Sequence, residues 1–482
     1  MAAFLHVGLF LWLVAHRLGY PFPLEWLEGD EFHHALRVLR GQSWYPPPSS
    51  SFFPSYYPPG YSVVCAIGMR LFGTTLTAMR WVSVLSTLAS CVAIYGMVRR
   101  HTAQASLGMV AAGFFVATYN LCGAWFDIAR VDMLALALAL VGVLLTHQQS
   151  TRRNYWLGIV LLIASGFTKQ NHFAFLAAVV GMWFFWSWRR AALAMLLSTT
   201  LSGAVVALLQ ANSSGWFLFY TVTMPGFVVH EFDTLVEFAR VTLVDMLGWT
   251  LPVHLMAAIV AVRLLPRRDL WLVWLVIVSV LVAASGWTNP AGFANNLIPV
   301  AAAMAIAVGV SLGVLQRHGR LPLVVVAHGL VILQLFAMRY DPQALQPTEQ
   351  DRVAGERVVA TMTQLPGPVL APYHPYFLHL SGHPMHAHFH LVNEVIRARG
   401  FGKTLRDNQL VNGILRKLEQ RWWRAYVSTS EQSMGELSNT WIDVRARRRY
   451  RKSLQLIPES DRKALYMRTG NAVRPCAIYL PR

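Results

Sequence analysis

Residues 25 to 45 read EWLEGDEFHHALRVLRGQSWY and place three carboxylates, Glu28, Asp30 and Glu31, within four positions of a chain that carries few charges. Acids at this spacing admit two readings. They can sit in the first turn of a helix, where negative charge opposes the helix dipole and caps free amides. They can also serve as a general base, provided one of them comes within ~3 Å of the proton it removes. Three acids exceed what a cap requires, which favours chemistry in at least one. Two cations stand out in the same way. Arg130 opens an apolar run between Asp127 and Asp132, and reads either as their ion-pair partner or as a ligand for an anion. Lys169 lies in the short turn GFTKQNHF between apolar segments, where an ammonium is costly unless it meets a partner or a ligand.

Other reactive side chains carry less. His230, with Glu231 and Asp233, lies in SSGWFLFYTVTMPGFVVHEFDTL; it reads as a surface histidine before it reads as a contact to an acceptor or a lid. HPYFLHLSGHPMHAHFH, 374 to 390, contains six histidines, yet no common zinc spacing; the stretch reads as strand and turn with a His-rich surface. Cys65, Cys91, Cys122 and Cys476 are scattered without a C-x-x-C pair. No metal ligand is assigned, and a divalent ion is left open.

The elements that must position these groups follow from composition. With 55% hydrophobic and 13% charged residues and a mean hydropathy of +0.42, the chain lies outside the soluble globular range and is expected in a membrane. Eleven spans are expected: 2–19, 79–98, 105–125, 131–147, 154–168, 172–188, 191–211, 241–263, 270–287, 297–315 and 321–338. The first, with His6 and Arg17 and no basic leader or A-x-A site, reads as a retained helix. Arginine-bearing loops fall at every second connection, at 99–101, 152–153, 189–190, 263–268 and 317–320, which puts them in the cytoplasm. Loops 20–78, 126–130, 169–171, 212–240 and 288–296 then face outside, together with everything after 338. Arg17, Arg70 and Arg80, beside the first long loop, run against that pattern.

The acids thus open an outer loop of residues 20–78. Within it, apolar Phe32, Ala35, Leu36 and Leu39 alternate with Asp30, His33, Arg37 and Arg40 at helical spacing, so a short amphipathic helix along the membrane surface is expected. A second interfacial helix is expected from Pro58. The membrane domain is read as 1–338 and a soluble α/β domain as 339–482. That domain holds 22 Lys and Arg against 12 Asp and Glu, with a basic cluster, VRARRRYRKS, at 444–453. The cluster reads as a solvated loop or as a site for anionic headgroups or an acidic glycan. An outward domain would not meet nucleic acid.

The order of these motifs carries a resemblance over roughly residues 1 to 340. An acid cluster (Glu28, Asp30, Glu31), then Arg40 to Tyr45, Tyr57-Pro58-Pro59, Phe72-Gly73 with Arg80, an R-x-D at Arg130 and a lysine-bearing turn at Lys169 resemble the integral-membrane glycosyltransferases of the GT-C class. These include the protein O-mannosyltransferases, the lipid A aminoarabinose transferases and the bacterial RgtA/B/C/D-like family. The resemblance implies a GT-C-like fold in a bacterial inner membrane. It also implies inverting transfer of a sugar from a polyprenyl phosphate to a glycan, lipid or protein acceptor on the outer face. Asp30 would be the base by its place in the Asp-Glu pair, with Glu28 a close second and Glu31 third. Arg130 and Lys169 would hold the donor phosphate, and Tyr57 and His230 would touch substrate. No cofactor is implied beyond the lipid-linked donor. Two other classes fit eleven spans. A transporter or flippase would show similar halves and midplane charges, whereas the polar residues here gather at outer ends. A non-catalytic assembly subunit would differ only in activity.

Overall fold

The computed structural model describes every residue except 148–149, 228–229, 262–269, 290–291, 398–408 and 438–439. The membrane part is helical: α1 (Ala2–Arg17), α2 (Glu28–Leu39), α3 (Gly60–Phe72), α4 (Leu76–Thr102), α5 (Ala105–Ala117), α6 (Val131–Leu145), α7 (Arg152–Gly166), α8 (Phe173–Trp186), α9 (Trp188–Asn212), α10 (Leu251–Ala261), α11 (Leu270–Trp287), α12 (Ile298–His318) and α13 (Leu321–Ala337). A helical segment answers each of the eleven expected spans, but many are short. Among the described residues four helical stretches are long and apolar enough to cross a membrane: Leu76–Thr102, Trp188–Asn212, Phe232–Ile259 and Ala294–His318. A helix of 13 residues such as α5 rises about 20 Å, less than the ~30 Å hydrocarbon core.

The expected span 105–125 is corrected most. Its helix stops at Ala117, and residues 118–130 run through turns with Gly123 and Ala124 at positive φ of 72° and 59°. The helical hydrogen bonds given up there are replaced by others. The Ala124 carbonyl accepts from Arg17, and the Ala129 amide donates to Glu28 at 2.8 Å. α12 is the central helix, with nearly every side chain buried, and its alanines let α4, α5, α10 and α11 approach. Gly113 of α5 does the same for α1, since a Cβ there would stand 2.5 Å from that of Ala3.

α2 does not present its polar face to water. Residues Glu28 to Leu36 are all buried, Asp30 and His33 included, because the C-terminal part of the chain covers the face that water would have wetted. The contact is made by the short helix Pro375–Leu380. Phe32 meets Tyr376 edge to face at 4.8 Å, and Phe22 of the preceding loop stacks on Phe377 at 5.5 Å. Gly29 is what admits that helix: an added Cβ would lie 3.0 Å from the Cβ of Tyr376.

The C-terminal part is built on a mixed sheet. β1 (Val369–Leu370) runs parallel to β2 (Ala425–Glu431), β5 (Val473–Pro481) lies antiparallel between β2 and β4 (Tyr450–Gln455), and β3 (Gly435–Glu436) turns back on β2. Helices Glu349–Thr363, Phe389–Arg397, Gln409–Glu419 and Trp441–Arg449 accompany it. The basic run 444–453 is no loop, since it finishes the last of these helices and forms the exposed edge strand β4. The histidine-rich stretch contains no strand. His374, His386 and His388 are buried, so they are interior groups rather than a histidine surface.

Candidate active site

One large cavity, of about 680 Å³, lies where one end of the membrane-part helices meets the C-terminal sheet. Asp30, Glu31, Tyr57, Arg130, Lys169 and His230 all line it. Glu28 does not.

The helical turn of α2 explains the division among the acids. Glu28 points away from the cavity and is wholly buried, with both oxygens engaged. Arg80 donates to them at 2.8 and 2.7 Å, and the Ala129 and Leu24 amides donate at 2.8 and 2.7 Å. Burial pushes its carboxyl up, but the charge and hydrogen bonds of Arg80 and the two amides outweigh this and hold it below its ordinary value. Asp30 and Glu31, two and three residues on, face the cavity instead. Asp30 comes no nearer a cation than His34 Nε2 at 3.7 Å, and that nitrogen accepts the Ser55 amide at 2.9 Å, so it holds no proton to give. Burial above all, then the charge of Glu31, raises Asp30 well above the ordinary aspartate value; Arg130 opposes and Glu25 adds to the rise. Burial likewise brings Glu31 to about 7 against the pull of Arg130. None of the three acids caps the helix by a hydrogen bond: the N-cap is Leu27, and its amide donates to Glu25 instead.

The cations are arranged to leave one available. Asp127 is taken by Arg17 at 2.7 Å, and Asp132 by Lys169 at 2.7 Å and by Asn295 at 2.9 Å. Neither pairs with Arg130, the ion-pair partner expected of them. Arg130 sits as the N-cap residue of α6, buried, and reaches Glu25 only at 3.4 Å; its Nε has no partner. Its guanidinium lies 5.8 Å from the ring of Trp125. A buried guanidinium with an idle donor on a cavity wall is a ready site for an oxyanion. Lys169 enters through the turn between α7 and α8, with Asn296 3.5 Å away as a second contact. His230 is exposed and bonds the Thr288 hydroxyl at 2.8 Å, while Tyr57 takes the Tyr45 hydroxyl on its carbonyl. Asp245 pairs with Arg240 at 3.0 Å and does not line the cavity.

Sequence reasoning missed Glu25, which lines the cavity, accepts the Leu27 amide at 3.0 Å and is brought by burial to about 7, Arg130 opposing. It also missed the roles of Arg17 and Arg80. Both are fully buried clamps, and their signal was present: they are the cations that depart from the expected alternation of the loops. Arg17 also donates to the Leu345 carbonyl at 2.7 Å and the Thr469 hydroxyl at 2.9 Å, and so ties the C-terminal part to α1. Of the cavity's far wall, from Tyr373 to Val473, the sequence marked only the histidine-rich stretch that ends in His390.

With this geometry in view, similarity to known proteins becomes informative. Residues 57–216 match the family model of the dolichyl-phosphate-mannose-protein mannosyltransferases. The crystal structure of ArnT from Cupriavidus metallidurans in the apo state superposes with a TM-score of 0.59 at 12% identity, over 98% of this chain and 97% of that one. The same protein bound to undecaprenyl phosphate gives a TM-score of 0.58 at 13% identity, with the same coverage. No curated protein matches the chain by sequence. The resemblance to the GT-C class, with its aminoarabinose and O-mannosyl transferases, is thereby shown, and the chain is an integral membrane protein with the ArnT-like fold.

Proposed function

We propose that this GT-C-like protein is an inverting glycosyltransferase that takes a sugar from a polyprenyl-phosphate donor and passes it to an acceptor on the outer face of a bacterial inner membrane, its C-terminal domain lying outside. The observation that carries the reading is the pairing, in one cavity, of a carboxyl without a cation, Asp30, with a buried guanidinium whose Nε has no partner, Arg130. The ArnT structure bound to undecaprenyl phosphate supports a lipid phosphate as the ligand of such a fold.

In this account Arg130 and Lys169 receive the donor phosphate. As the glycosidic bond breaks, charge grows on the departing oxygen, and preorganised cations in a dry site stabilise it more than water would. Asp30 takes the proton of the attacking hydroxyl on the opposite side of the anomeric carbon, which inverts that centre. A carboxylate whose proton affinity burial has raised is the stronger base once ionised. Glu31, next to it, shares the proton load, while Tyr57 and His230 border the substrate. Glu28 holds the loop to α4 through Arg80 and has no chemical part. The test is incubation of purified protein with a panel of polyprenyl-phosphate sugars, followed by detection of sugar release or transfer. Reporter fusions after residues 100, 153 and 190 should behave as cytoplasmic and one at 482 as exported; an exported signal at 153 would sink the sidedness.

A further inference from the structure

The two walls of the cavity differ in their cations. Among the described residues its only lysine and arginine, Arg130 and Lys169, belong to the membrane-domain wall. The opposite wall, contributed by the C-terminal sheet and its loops, carries Glu431 at the end of β2 and Asn471 in the loop before β5. Glu431 has only the Ser433 hydroxyl at 3.3 Å, and the Asn471 amide has no side-chain hydrogen bond among the described residues. Trp26 and Tyr373, which line the same cavity, form an aromatic pair, 6.0 Å apart and 17° from parallel; Trp26 is half-buried, and the His390 ring lies 4.8 Å from it at a tilt. The loop bearing Asn471 also presses on the acid row, since a Cβ on Gly470 would stand 3.3 Å from the side chain of Glu25.

We propose that the acceptor is an uncharged glycan, its ring stacked on Trp26 and its hydroxyls held by Glu431 and Asn471. The inference rests on the glycosyltransferase reading and names its acceptor class. A sugar ring offers an apolar C–H face to an aromatic plane and hydroxyls that donate to a carboxylate and bond either way with an amide. An acceptor bearing phosphate would meet Glu431 on a wall that, among the described residues, carries His390 but no lysine or arginine, and its best cations are the two the donor requires. Like charge without a counterion disfavours it by electrostatics alone.

Saturation-transfer NMR on the full chain in detergent, without donor, tests the site. Neutral tri- to pentasaccharides of hexoses and pentoses should receive saturation at ring C–H positions, whereas their phosphorylated counterparts and Ser/Thr peptides should not. Glu431→Gln and Asn471→Ala should each weaken neutral-glycan binding roughly three- to tenfold, the loss of one hydrogen bond to a neutral group. Stronger saturation of a phosphorylated glycan or a peptide, or none for any neutral glycan, would overturn the proposal. Because no donor is present, failure here differs from failure of the transferase reading. A chain that cleaves donor yet binds no neutral glycan refutes the acceptor class alone. One that binds the glycan and cleaves no polyprenyl-phosphate sugar refutes the chemistry alone.

Discussion

Glu28→Gln separates a structural acid from a chemical one. The glutamate accepts four hydrogen bonds, two from Arg80 and one each from the Ala129 and Leu24 amides, and neither it nor Arg80 is exposed to any extent. Glutamine keeps the shape but replaces one acceptor oxygen with a donor. Whichever way the amide turns, it faces at least two donors, and the charge of Arg80 loses its counterion. Arg80 still donates to the Tyr20 and Phe22 carbonyls at 2.6 and 2.8 Å, so it cannot leave for water. Breaking one side of a buried pair is worth about 3–5 kcal/mol. Unfolding in detergent, followed by fluorescence while denaturant is raised, should show a loss of that order. Turnover per folded molecule should stay near wild type. A Glu28→Gln protein of unchanged stability that has lost its turnover would refute the argument and return Glu28 to the chemistry.

Arg130→Ala and Lys169→Ala should lower turnover by a few kcal/mol of transition-state stabilisation, with donor binding weakened and the fold retained; kinetics unchanged in both would make them structural. Glu25 and Glu31 are raised from an ordinary 4.5 to about 7, so the folded state holds protons that the unfolded chain has released. Their contribution to stability is full below about 4.5 and is lost as pH rises through about 7. A pH series of unfolding midpoints should therefore decline across that window, and less steeply in Glu31→Gln; an identical slope in the variant would remove Glu31 as a cause. Gly113→Leu should prevent α1 from packing on α5 and reduce the yield of monodisperse protein in size-exclusion chromatography, whereas Gly203→Leu, at a site with open space, should not.

How far the sequence could be read depended on whether a residue broke a rule. Acids in an apolar chain, an arginine at the head of an apolar helix and a lysine in an apolar turn each contradict their surroundings, and all of them except Glu28 meet in one cavity. Pairings were not legible. Asp127 and Asp132 flank Arg130 in sequence, yet α1 and the turn before α8 supply their cations, Arg17 and Lys169. Sequence proximity says little about who meets whom when helices from distant segments converge. Glu28 ranked as a close second to Asp30, ahead of Glu31, for a related reason: one helical turn sends neighbours to different faces, and which face is the cavity depends on a domain more than three hundred residues away. The same domain buried α2 and the histidines, so a pattern that reads as an interface with water became an interface with protein. Length was misleading as well, because periodicity cannot show that residues 118–130 leave the helix to satisfy Glu28 and Arg17.

The central claim is that Asp30 removes the acceptor proton beside a donor phosphate held by Arg130. Asp30→Asn preserves shape and removes proton acceptance, so sugar transfer from a polyprenyl-phosphate donor should fall by at least ~10²-fold while donor binding persists. Transfer at the wild-type rate by Asp30→Asn, measured in the same preparation that binds donor, would contradict it.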